Sequence, residues 1–120
     1  MKVSIPDFKN AVLLFEAGLI EQTKDATNKS ALAMAFAKFA PQIDAAIADM
    51  SKDGIVDVDA VRELIDAGLK GGGGKIVLKP EMPGWARLLG VTIQDITITA
   101  AEADEFFTKT VPQFSPTAIE

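Results

Sequence analysis

In the stretch DMSKDGIVDVDA, residues 49–60, oxygen-bearing side chains stand at every second position at Asp49, Ser51 and Asp53 and again at Asp57, with Gly54 among them. Hard oxygen donors at such spacing suit a calcium ion. The chain's negative charge gathers here too, since residues 41–66 hold seven acids against only Lys52 and Arg62.

Two other patterns suggest chemistry. In KGGGGKI, consecutive glycine amides followed by Lys75 could cradle an anion. A phosphate loop, however, needs glycine where Leu69 stands and Ser or Thr where Ile76 stands, and it runs from strand to helix. This stretch runs the other way, so a helix stop and hinge is the expected role. The acidic pairs Asp57 with Asp59 and Asp104 with Glu105 would support acid/base work only if they faced each other across a cleft. Helix capping and surface solvation explain them more simply.

With helices expected on both sides, residues 49–60 resemble an EF-hand, a likeness spanning about 30 residues. The resemblance implies Asp49, Ser51, Asp53, Ile55 and Asp57 as calcium ligands, and Val56 as the core contact. It departs at the twelfth place, where a bidentate Glu belongs and Ala60 stands. Asp59 comes one residue early, and no second such loop accompanies the first. Any calcium site would be weak. The same letters also read as a turn favoured by Asp49, Ser51 and Asp53, with Gly54 permitting positive φ, then a short buried strand from Ile55 and Val56 and a helix cap at Asp57 or Asp59, which is the favoured reading.

Composition narrows the chemistry further. The 120 residues include no cysteine and no histidine. Disulfides, thiolate nucleophiles, Ser-His-Asp systems and the usual zinc sites are therefore excluded. A non-enzymatic protein is expected, with no cofactor unless calcium. A net charge of −5 with an acidic middle does not suit a nucleic-acid surface. Asp7, Lys9, Asn10 and Glu16 break the first apolar run, so it makes a poor signal peptide. By eye, no apolar stretch approaches the roughly 18 to 20 residues expected of a bilayer span. A cytoplasmic protein that does not contact membrane is expected.

The elements that must position these residues follow from capping and periodicity. A helix begins at Ser4-Ile5-Pro6, carries Phe8, Val12, Phe15 and Leu19 inward, and weakens or ends near Gly18. A second, alanine-rich helix is capped by Thr27 or Asn28 and carries Leu32, Phe36 and Phe39. Pro41 predicts a break, with a third helix bringing in Ile43, Ile47 and Met50. A fourth, capped by Asp57 or Asp59, turns Val61, Leu64, Ile65 and Leu69 inward and stops at Gly71. KIVLK and DITIT predict strands. Thr99 and Glu102 make a capping box for a last helix carrying Ala103, Phe106, Phe107 and Val111.

The expected fold is α+β: a predominantly helical single domain over residues 1–111, with about five helices and a small two- or three-stranded sheet drawn from near Ile55, Ile76 and Ile98. Residues 112–120 read as a frayed tail. Trp85, in a loop with one short helical turn, is a candidate partner-binding anchor, or else a plug at one end of the core, which the usual burial of tryptophan favours. The order of elements, with DGIVDVDAVRELI and ITAAEADEFF, resembles small uncharacterised proteins of bacterial and phage genomes. That likeness implies a fold and transfers no activity. The function expected is a protein-interaction or structural module acting on a protein partner or on itself, with a weak calcium-binding protein as the alternative.

Overall fold

The computed structural model describes residues 1–78 and 95–114. Trp85 and the helical turn expected around it lie outside them.

Strand β1 (Lys2–Ser4) runs antiparallel to β3 (Ile55–Asp57), and β2 (Ser51–Lys52) pairs with the other edge of β3. The loop between β2 and β3 is Asp53-Gly54, with φ of 56° and 77°. Positive φ at both places is the type I′ hairpin turn, for which Asp-Gly is the favoured pair. On β3, Val56 lies opposite Val3, and both are buried. The Gly54 carbonyl accepts the Ile5 N–H at 3.1 Å, tying the hairpin to the first helix.

Helix α1 (Ile5–Gln22) starts as expected, with Ser4 Oγ accepting the Asp7 N–H. It does not end at Gly18. Leu19 and Ile20 pack against a core cluster, and their burial outweighs the roughly 1 kcal/mol that a helical glycine costs.

Helix α2 (Ala26–Met50) is a single helix that passes through Pro41, so the described residues form four helices rather than five. Its N-cap is Asp25, not Thr27 or Asn28. Pro41 removes one amide donor and crowds the preceding turn, at about 3 kcal/mol. Pro41 itself is exposed, whereas Ile47 is buried and Ile43 half-buried just beyond it. Continuing the helix carries both isoleucines onto the core, about 1.5 to 3 kcal/mol for a fully buried side chain, and the alanines around the proline favour helix. By length and composition α2 is also apolar enough to cross a membrane, contrary to the expectation for the chain. Here its Leu32, Ala35, Phe36 and Ile47 are covered by protein.

Helix α3 (Val58–Gly71) is capped by Asp57, whose Oδ1 accepts the N–H groups of Asp59 and Ala60 at 3.1 and 3.4 Å. Val58, Val61 and Leu69 are buried and Ile65 half-buried, a face with steps of three and four. Leu64 falls off that face and is 61% exposed, not inward as expected. Strands β4 (Lys75–Leu78) and β5 (Ile96–Thr99) pair antiparallel, Ile76 opposite Ile98. They form their own sheet, separate from β3.

Helix α4 is α-helical over Ala100–Glu105, π-helical over Phe106–Thr110 and α-helical again over Val111–Gln113. Thr99 and Glu102 cap it reciprocally, the predicted box. The wide turn has a local cause. Pro112 has no N–H to give the Thr108 carbonyl, and the Val111 N–H bonds back to Phe106 instead. Phe114 packs on the core, so the fold reaches into the segment expected to fray.

Two apolar clusters result. One joins Val3, Phe8, Ala11, Ile47, Val56, Val58, Val61, Phe106, Phe107 and Val111; the other joins Leu32, Ala35, Phe36 and Ile96. Because Pro41 opposes a helix that the core nonetheless imposes, Pro41→Ala is expected to stabilise the fold by about 2 kcal/mol in denaturant unfolding. A loss of stability would show that a bend at Pro41 is what seats Ile43 and Ile47.

Candidate functional site

The predicted calcium ligands occupy three different local structures. Asp49 lies exposed in the last turn of α2, and Ser51 Oγ donates to the Ala48 carbonyl at 2.7 Å. Asp53 forms the hairpin turn and Ile55 opens β3. Asp57 accepts two backbone N–H groups at the start of α3. Among the described residues no group of three or more Asp, Glu, His or Cys side chains is placed to hold a metal ion.

The other acids also have local tasks. Asp59 takes the terminal amino group of Met1 at 2.8 Å. Asp104 accepts from Arg62 Nη2 at 2.6 Å, while the guanidinium lies 5.6 Å from the centre of the Phe107 ring. Glu102 Oε1 accepts the Thr99 N–H at 3.0 Å. The glycine run is likewise engaged. Gly72, Gly73 and Gly74 donate their N–H groups to carbonyls of the last turn of α3, closing the helix. Gly72 cannot carry a side chain, because a Cβ there would collide with the Lys75 carbonyl oxygen.

The concavities among the described residues include two that bear on function. One, of about 300 Å³, is a mixed groove between α1 and α4, including Leu14, Gly18, Glu21, Glu102 and Glu105. The other, of about 220 Å³, is walled entirely by apolar residues and lies where all four helices and the second sheet meet. Phe8, Val12 and Phe15 come from α1; Ile43, Ala46, Ile47 and Met50 from α2; Val61 and Ile65 from α3; Leu78 and Ile98 from the strands; Ala103, Phe106 and Phe107 from α4.

Phe106 organises this wall. Its ring meets those of Phe8, Phe15 and Phe107 edge-on, with centroids 5.9, 5.3 and 5.0 Å apart. Met50 and Ala46 are exposed and mark the rim. The sequence places most of these residues inward, but nothing in it says that they leave a hollow. Helical periodicity reports which way a residue faces, not how closely the opposite wall approaches.

One carboxyl on the α1/α2 seam is perturbed. Burial, and secondarily the charge of Asp44, raises the Glu16 pKa above its ordinary 4.5. Asp44 is itself paired with Lys9 at 3.6 Å. The folded state thus holds the Glu16 proton more tightly than the unfolded chain does. This contribution is fully present below pH 4.5 and is lost as pH rises through the folded value. Glu16→Gln is therefore expected to gain stability relative to wild type as pH rises from 4 to 7, followed by urea unfolding at each pH; an unchanged difference would contradict the burial of the charge.

Asp57→Ala is expected to lose about 1 kcal/mol with its cap. Melting curves of wild type should coincide in millimolar calcium and in chelator, whereas a calcium-dependent rise would establish a metal site at residues 49–57. No protein-family model matches the chain, and neither a curated protein nor a solved structure shows significant similarity to it.

Proposed function

We propose that the protein is a non-enzymatic interaction module that receives an apolar group of a protein partner, which could be a second copy of the chain, in the cavity at the helix junction. One observation carries this reading: the cavity is walled wholly by apolar side chains. Such a surface offers no side chain to transfer a proton or attack a carbonyl. It can still gain free energy by removing a partner's apolar surface from water, about 25 cal/mol for each Å². Binding anchors at interfaces characteristically fill desolvated pockets of this kind.

The test uses Ala46, an exposed alanine at the rim whose replacement by tryptophan fills the mouth without removing a core group. Affinity capture from the source organism should recover a partner with wild type and lose it with Ala46→Trp, while circular dichroism shows both folded. Leu64→Asp, on an exposed part of α3 outside the cavity, should capture as wild type does. Equal capture by Ala46→Trp would remove the cavity from the interface. A strict monomer that captures nothing would end the proposal.

A further inference from the structure

We infer that the protein associates with itself head to tail, the exposed face of α2 in one copy seating in the acidic groove between α1 and α4 of the next. This contact does not enter the cavity at the helix junction, so it stands or falls apart from the function proposed for that cavity.

The groove presents anions. Glu21, Glu102 and Glu105 line it, no basic residue does, and its apolar members include Leu14, Ala17 and Gly18. Glu21 and Glu105 have no ion-pair partner among the described residues. A Cβ at Gly18 would meet nothing within 4 Å, so the space above that glycine is open. Carboxylates gathered along one concave surface repel one another and favour a cationic occupant.

The chain itself carries the matching surface. Between Asp25 and Asp44 it has no acid, only Lys29 and Lys38. At about 100° per residue, Lys29, Ala33, Ala37, Met34 and Lys38 follow one another across about half the circumference of α2, with a lysine at each margin and apolar residues between. Ala33, Met34, Ala37 and Lys38 are exposed, Met34 at 45%. Only 28% of the apolar stretch of this helix is buried, so the fold leaves the face uncovered.

The two surfaces cannot meet within one copy. The other side of α2, with Leu32, Ala35 and Phe36, packs with Leu19 and Ile20 of α1. The lysine-edged face therefore points away from α1, and the groove it can reach belongs to another copy. Two different patches meet in such a contact, which makes it heterologous and repeatable from copy to copy. Met34, long and unbranched, suits an irregular floor, while the flexible stems of Lys29 and Lys38 carry their ammonium groups to the carboxylates. Exposed ion pairs are individually weak and screened by salt, so the association is weak and falls as salt rises.

Sedimentation velocity of the full chain tests this. At about 20 mM salt the weight-average mass should rise with protein concentration, and at about 0.5 M salt that rise should disappear. Lys38→Glu and Glu105→Lys, both at exposed positions, should fold as wild type by circular dichroism, and each alone should weaken self-association about tenfold. Mixing the two variants should give a mass above that of either alone, because the unaltered face of the Glu105→Lys variant meets the unaltered groove of the Lys38→Glu variant. Ala46→Trp should associate as wild type does. A chain that stays monomeric at low salt, association indifferent to salt or to either charge reversal, a mixture that stays at the mass of its components, or loss of association with Ala46→Trp would each overturn the inference.

Discussion

The edge-to-face packing of Phe106 against Phe8, Phe15 and Phe107 is the contact on which the rest of the structure turns. It binds the last helix to the first across nearly the whole length of the sequence. Few local signals could hold α4 there otherwise, since its hydrogen-bonded ladder is widened by Pro112 at the place where the rings meet. Aromatic pairs are worth about 0.5 to 1.5 kcal/mol each beyond the area they bury, so three converging on one ring amount to a sizeable fraction of a small domain's stability. The first sheet meets the same cluster through Val3 and Val56, and α3 meets it through Val58 and Val61.

What could be read from the sequence was what is decided within a few residues. Ser4, Asp57 and the Thr99–Glu102 pair cap helices because a side-chain oxygen needs only a nearby free N–H. Strands β4 and β5 announce themselves by β-branched residues. What escaped was decided at a distance. Pro41 and Gly18 are locally unfavourable to helix, yet Ile47 on one side and Leu19 on the other find partners that only the folded chain supplies. Lys2–Ser4 is too short to read as a strand until Ile55–Asp57 lies beside it. Likewise Ile55 and Ile76 belong to different sheets, a matter of which strand reaches which, and strand propensity is silent on that.

Residues 49–60 show how one set of letters can satisfy two templates. Asp, Ser and Gly at alternating places suit a cation loop because their oxygens are short and flexible. They suit a hairpin and a helix cap for the same reasons: Asp and Gly tolerate positive φ, and an Asp oxygen reaches backbone amides two and three residues on. Asp57 cannot give the same lone pairs fully to a metal and to the first turn of α3. Ala60 then weighs on the side of the cap, since no carboxylate stands at the twelfth place to close a coordination sphere.

The cavity stands out against this otherwise economical use of side chains. Apolar surface left facing water forgoes about 25 cal/mol for each Å² that burial would have gained. The hollow, of about 220 Å³ and open past Ala46 and Met50, leaves such surface uncovered. Small substitutions at hand would reduce it: Ala46 and Ala103 face the hollow, and either could be enlarged by one or two carbons without leaving the helix. A chain that keeps alanine at both places, beside four phenylalanines already arranged edge to face, forgoes packing it could have made alone. Free energy withheld from folding in this way becomes available to whatever fills the space, so the hollow links the stability of the fold to the occupancy of the site.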